Sequence, residues 1–190
     1  IVRTMLPDDF NISRLITRVQ GSNSANVRIS AQLGETAPIK NLSIDFNHKT
    51  KRWDAEVKGE DSWEKAFQNI SSIFIPAKEI LSNSYNLSAA TDRNNVRFDD
   101  TYIDIINSAK VDISVGRNRT DRDNRLKAIE KIINGTVYFD NRRDEFYLKK
   151  GNSKQEFNLV AEGIRKMALL WQLVKNGTLE KGAILVWDEP

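Results

Sequence analysis

Residues 183–187, Ala-Ile-Leu-Val-Trp, form an unbroken apolar run, and Asp188 and Glu189 follow it directly. No other feature restricts the fold as much. A short strand that is apolar on both faces belongs inside a parallel sheet covered by helices. The two acids then stand at the C-terminal end of that strand, the edge of an open α/β sheet where ligands bind. Paired carboxylates at such an edge suit magnesium–nucleotide chemistry. One holds the metal through water, and the other orients or deprotonates an attacking water. The alternative at this point is that Asp188 and Glu189 only solvate a strand end.

Upstream of the run lies a helix. Ile164, Met167, Ala168, Trp171 and Val174 recur at helical spacing, and Asn176-Gly177 supplies a stop. Ala161, Glu162 and Gly163 open this helix. A small residue and a glycine there expose backbone N–H groups at the end of the helix that favours anions. Arg165 and Lys166 sit one turn further in, where the helix dipole disfavours positive charge. They read either as a surface pair or as residues with another duty.

The first part of the chain has a different period. Val27, Ile29, Ala31 and Leu33, then Leu42, Ile44 and Phe46, then Trp53, Ala55 and Val57 alternate with polar residues, with polar links at 34–40 and 47–52. This is the pattern of half-buried strands in an antiparallel meander. Trp63, Ala66, Phe67 and Ile70 switch to helical spacing. Ser72, Ile73, Phe74, Ile75 and Pro76 read as a buried strand ended by proline, and residues 77–83 as the start of another helix.

Residues 84–134 are polar, with helical patterns over 98–109 and 126–133. Asp121 or Asp123 is the candidate cap for the second, and Asn134-Gly135 its end. Residues 136–139 and 145–148, joined by 140–144, predict a hairpin.

Composition excludes several classes. The chain has 190 residues, enough for one domain with a real core. It has no cysteine, so disulfides and thiol chemistry are absent, which fits a reducing compartment only weakly. With one histidine, a zinc site of the usual ligand set is excluded. That residue, His48, falls in a polar run that reads as a surface turn. No apolar stretch is long enough for a membrane span, and the first six residues do not make a secretory signal, so a cytoplasmic location is expected.

The net charge of +3 permits nucleic-acid binding without arguing for it. Arg117, Arg119, Arg122, Arg125, Arg142, Arg143, Lys149, Lys150 and Lys154 are interleaved with Asp121, Asp123, Asp140, Asp144 and Glu145. A solvated surface is the expectation; a DNA- or RNA-facing patch is the alternative. Tyr138, Phe146 and Tyr147 fit core strands better than base stacking.

The stretch 159–170, Leu-Val-Ala-Glu-Gly-Ile-Arg-Lys-Met-Ala-Leu-Leu, followed by 184–190, Ile-Leu-Val-Trp-Asp-Glu-Pro, resembles the signature-to-Walker-B segment of ABC-type ATPases. It is most similar to bacterial AAA-family proteins with an ABC-like head, a group akin to chromosome-maintenance and recombination ATPases and to overcoming-lysogenization-defect nucleases. Residues 75–80, Leu6-Pro7-Asp8 and residues 15–21 also look like segments of that group. The order of parts agrees over most of the chain, although only the last forty residues are specific.

The resemblance implies an α/β fold with α+β character. It would be a partial ATPase head comprising a β meander with a core strand (1–83), a helical lobe (84–134), and a hairpin, signature helix and buried Walker-B strand (135–190), all in one incomplete domain. It implies ATP and magnesium as ligands, Asp188 on the metal and Glu189 as catalytic base. Ala161, Glu162 and Gly163 would form the signature loop, completing the site of a second subunit in a nucleotide-sandwiched homodimer. An effector protein, or DNA or RNA, would be driven by the ATP state.

The departures are specific. Ala161 stands where many signatures have serine, Glu162 replaces a glycine, and Lys78-Glu79 occupy the place of a Q-loop without its glutamine. No G-x-x-x-x-G-K-[ST] loop occurs anywhere. The chain as it stands is therefore expected to be inactive alone, as a piece of a longer protein. A non-catalytic interaction module and a nucleic-acid-binding domain are the rival readings.

Overall fold

The alternation that begins at Asn26 folds as a meander. In a computed structural model, which describes residues 12–16, 21, 23–50, 54–85, 87, 100–111 and 119–189, strands β1 (Ser24–Ala31), β2 (Lys40–Asn47) and β3 (Glu56–Lys58) lie side by side in that order, all antiparallel. Val27 faces Ile44, Ala25 faces Phe46, and Val57 faces Ile44 from the other side. Strand residues of like parity share a face, so these apolar side chains form one surface. Ile12 and Ile16, in and just after the 3₁₀ turn Ile12–Leu15, pack on it around Phe46. The opposite face is a polar ladder. The Asn26 side-chain amide donates to Ser43 Oγ and Asp45 Oδ1, both at 2.6 Å, and Ser30 Oγ donates to Asn41 Oδ1 at 2.6 Å. The bond from Asn26, with a second from Lys58, holds the Asp45 carboxyl below its usual range. His48 is exposed in the turn after β2, with its N–H on the Asn23 carbonyl. Helix α1 (Glu60–Phe67) follows, with the Trp63 and Phe67 rings 4.6 Å apart.

Contacts divide the chain into two compact units, Ile1–Ile70 and Ser71–Pro190. The second runs β4 (Ser72–Ile75), α2 (Asp100–Lys110), α3 (Arg119–Ile133), β5 (Thr136–Asp140), β6 (Glu145–Lys150), β7 (Ser153–Glu156), α4 (Glu162–Lys175) and β8 (Ile184–Trp187). Strands β5, β6 and β7 form an antiparallel sheet. β4 and β8 pair in parallel, with Ser72 opposite Ile184 and Ile75 opposite Trp187. The chain is thus a mixed α/β protein. No helix among the described residues is long and apolar enough to cross a membrane.

Helix α4 is central to the second unit. Ala168, Leu169, Trp171, Leu173 and Val174 are buried, joined in the core by Ile105, Ile106 and Ala109 of α2 and by Leu126, Ile129 and Ile133 of α3. Helix ends leave carbonyls without partners, and α4 supplies them for α2. Gln172 Nε2 donates to the Ala109 carbonyl and Asn176 Nδ2 to that of Ser108, each at 2.8 Å. Trp171 Nε1 donates to Glu130 Oε1 on α3 at 3.0 Å. These bonds join the polar middle of the sequence to the core.

Several expectations are corrected. Residues 77–83 do not start a helix; only the 3₁₀ turn Leu81–Asn83 forms. Glu79 turns its carboxylate inward, where it accepts the Ser82 N–H at 3.2 Å, and Leu81 is buried, so the backbone follows its side chains rather than helical pairing. Helix α3 starts at Arg119, earlier than its apolar pattern, which puts Asp121 inside the first turn as a favourable charge rather than as the cap. β7 was not foreseen, since Ser-Lys-Gln-Glu has no apolar residue to mark it. β4, read as a buried strand, and β8, read as apolar on both faces and covered by helices, are both only partly covered: Phe74, Ile184 and Val186 remain 41%, 49% and 51% exposed. The expectations on Leu6, Pro7, Asp8, Trp53, Phe98, Arg117 and Pro190, and on residues 17–20, lie outside the described residues, as does the side chain of Arg119.

At the end of α3, Asn134 takes the left-handed conformation (φ 50) and the Gly135 N–H closes on the Glu130 carbonyl at 3.2 Å. A Cβ on Gly135 would come within 2.5 Å of the Lys149 carbonyl oxygen on β6, whereas one on Gly163 would meet nothing within 4 Å. Gly135→Ala is therefore expected to cost about 1–3 kcal/mol in urea unfolding. Gly163→Ala should gain up to about 1 kcal/mol from helix propensity. Equal effects from the two would contradict this packing.

Candidate functional site

Parallel pairing brings the C-terminal ends of β4 and β8 together. The Asp188 N–H donates to the Ile75 carbonyl at 3.0 Å, so the ladder runs one residue beyond β8 and sets Asp188 beside the Pro76 end of β4. Asp188 and Glu189 are both exposed at this edge, and Glu189 takes the left-handed backbone conformation (φ 50).

The start of α4 is brought to the same edge. Lys166 Nζ donates to the Glu189 backbone carbonyl at 2.7 Å. Glu162 and Gly163 lie four and three residues before Lys166 and thus on the same helix face. Ala161, Glu162 and Gly163 are all exposed, and Ala161 at the N-cap makes no side-chain capping bond. A helix start with no cap forgoes about 0.5–2 kcal/mol, and it leaves the first-turn N–H groups without a capping side chain, as an anion site would require. The open space at Gly163 leaves no reason within the described structure for its glycine, although glycine weakens the helix.

Arg165 is not a surface residue. Its guanidinium donates from Nη1 to the Val160 carbonyl at 2.6 Å and the Phe157 carbonyl at 3.2 Å. Its Nε stands 2.6 Å from Glu79 Oε2, angled as an ionic contact rather than a hydrogen bond; the two side chains are 17% and 1% exposed. One residue thus ties the start of α4 to the segment after β4. Lys78, next to Glu79, is exposed. Sequence reasoning missed both the Arg165–Glu79 and the Lys166–Glu189 contacts. The signal was the adverse placement of two cations in the first turns of a helix, which these partners explain.

The outward faces of β4 and β8 remain apolar. A groove of about 290 Å³ runs between them and α2, lined by Phe74, Val186, Thr101, Asp104 and Ser108 among others. Parallel strands are ordinarily covered on both faces.

Two cations beside the β5–β7 sheet engage their own neighbours. Lys154 Nζ lies 3.7 Å from the centre of the Tyr138 ring, and Lys110 pairs with Asp144 at 2.6 Å. The Tyr147 hydroxyl donates to the Glu145 carboxylate, which pushes the phenol above its usual value. In register, Tyr138, Tyr147 and Glu156 form one row and Lys149 and Lys154 another, so acids and cations share this face. Phe146 and Tyr147 are buried, while Tyr138 is exposed.

Among the described residues no group of three or more acidic or histidine side chains converges as a metal cage. Magnesium does not need one, because it retains waters and takes one or two carboxylates together with substrate phosphates. Asp188 at the strand edge fits that donor set. Set against protein-family models, curated proteins and solved structures, the chain matches none of them.

Proposed function

We propose that this chain is the carboxylate-bearing half of an ABC-type ATPase head. The observation that carries the reading is the parallel β4–β8 pair, which places Asp188 and Glu189 at its C-terminal edge beside the exposed, uncapped start of α4. Magnesium, when bound, would neutralise and orient the phosphates of ATP, with Asp188 holding it through water. Glu189 would orient the attacking water and take its proton. The first-turn N–H groups at 162–164 would receive the terminal phosphate of a nucleotide carried by a second copy, head to tail. Because Ala161 has no hydroxyl and Glu162 is acidic, this contact would be made by backbone alone. The exposed Gly163 and the absent cap support that use.

The phosphate loop must come from outside residues 1–190; the outer edges of β4 and β8, which pair with no further strand among the described residues, supply a place for the rest of such a sheet, and their exposed apolar face a place for its covering helices. ATP state would then act on an effector protein or on nucleic acid. The second reading, a non-catalytic interaction module, is favoured by the missing loop alone. ATP turnover with magnesium by a protein that joins these residues to a phosphate loop separates the two. Hydrolysis is expected. A protein that neither binds nor hydrolyses ATP overturns the catalytic reading and leaves the module.

A further inference from the structure

We infer that Lys166 is a positioning residue for Glu189, an assignment that rests on Glu189 being the base. Three observations converge on it. The Lys166 ammonium donates to the Glu189 backbone carbonyl at 2.7 Å, a contact between the second turn of α4 and the residue that leaves β8. Glu189 is a non-glycine residue with φ 50, a conformation that costs roughly 1–2 kcal/mol for an L-residue. It also precedes Pro190, and a following proline disfavours helical backbone conformations, whether right- or left-handed. Something must hold such a residue in place, and persistent strain of this kind needs surroundings that over-determine it. Finally, Lys166 lies near the positive end of the α4 dipole, where an ammonium is disfavoured unless it has a partner.

The contact restrains the Glu189 backbone and not its carboxylate. The carboxylate therefore stays free to act, while the direction in which it leaves the strand is fixed from α4. The strand itself fixes only the preceding residue, through the Asp188 N–H on the Ile75 carbonyl. Without Lys166, no other hydrogen bond among the described residues holds Glu189 in its left-handed conformation, and the base would sample orientations away from the water. Misplacement of a reacting group by about 1 Å lowers rates by up to about 100-fold. Lys166 also shares its helix face with Glu162 and Gly163, so the base is aligned by the same turn that would receive a partner's phosphate.

The test has two readouts on Lys166→Met, which keeps the aliphatic stem, and Lys166→Arg, which keeps the charge. In the 190-residue chain, exchange of the Asp188 amide followed by NMR should quicken at least severalfold in K166M and stay near the unsubstituted rate in K166R, with the core of α4 unchanged. In the ATP-hydrolysing protein, kcat should fall about 10- to 100-fold in K166M at unchanged KM, with K166R retaining most of the activity. Unchanged Asp188 exchange in K166M overturns the contact. Unchanged kcat beside an active parent overturns the positioning role. An inactive parent overturns the base reading itself, and the exchange arm still decides whether the contact exists.

Discussion

Glu189→Gln is expected to lower ATP turnover by about 100- to 10,000-fold in the hydrolysing protein while leaving ATP binding in place. The amide keeps the size and hydrogen-bonding reach of the carboxylate but cannot accept a proton from water. Because the side chain is exposed and the Lys166 contact is made by the Glu189 backbone carbonyl, the substitution leaves the local structure intact. A loss therefore reports on chemistry and not on folding. Single-turnover hydrolysis and equilibrium nucleotide binding, measured on both proteins, separate the two effects. Turnover equal to the unsubstituted protein would remove Glu189 from the mechanism and move the search to other carboxylates at the same edge.

Glu79→Ala is expected to destabilise the chain by about 3 kcal/mol. The Glu79 side chain is 1% exposed and lies against Arg165, which is itself largely buried, so its loss strands a guanidinium in a poorly solvated place. Arg165 keeps its bonds to the Val160 and Phe157 carbonyls, which limits the damage. The same change removes the acceptor for the Ser82 N–H and loosens the turn after β4. Replacing both partners, Glu79→Leu with Arg165→Met, should recover much of the loss, since a buried ion pair is often matched by apolar residues of similar volume. Urea unfolding of the unsubstituted protein, Glu79→Leu, Arg165→Met and the double variant completes the cycle. A single-variant loss below about 1 kcal/mol would class the pair with exposed salt bridges.

How far the structure could be read in advance depends on where each residue finds its partners. β1 and β2 were legible because alternation and burial depend on the same neighbours: the period puts Val27 and Ile44 on apolar faces, and the turn between the strands then sets the two opposite each other. The apolar face of α4 and its stop at Asn176 and Gly177 were legible for the same reason. The turn at 77–83 was not, because Glu79 answers to Arg165 on a distant helix and local propensity says nothing of that. β7 was invisible since its bonds to β6 are backbone bonds that four polar residues make as well as any. At the candidate site, the apolar run placed Asp188 and Glu189 at a strand end. Which helix turn would meet them depended on packing between α4 and β8, and no periodicity encodes that.

The half-naked β4–β8 pair also governs how this polypeptide behaves in a tube. Each of its two strands has one long side without a strand partner among the described residues, and Phe74, Ile184 and Val186 stand outward above it. A two-stranded apolar ribbon whose outer edges meet no further strand among the described residues is a template for the same ribbon on another molecule. Concentrating the isolated chain therefore favours self-stacking through this ribbon, and preparations stay dispersed to the extent that something else occupies it first.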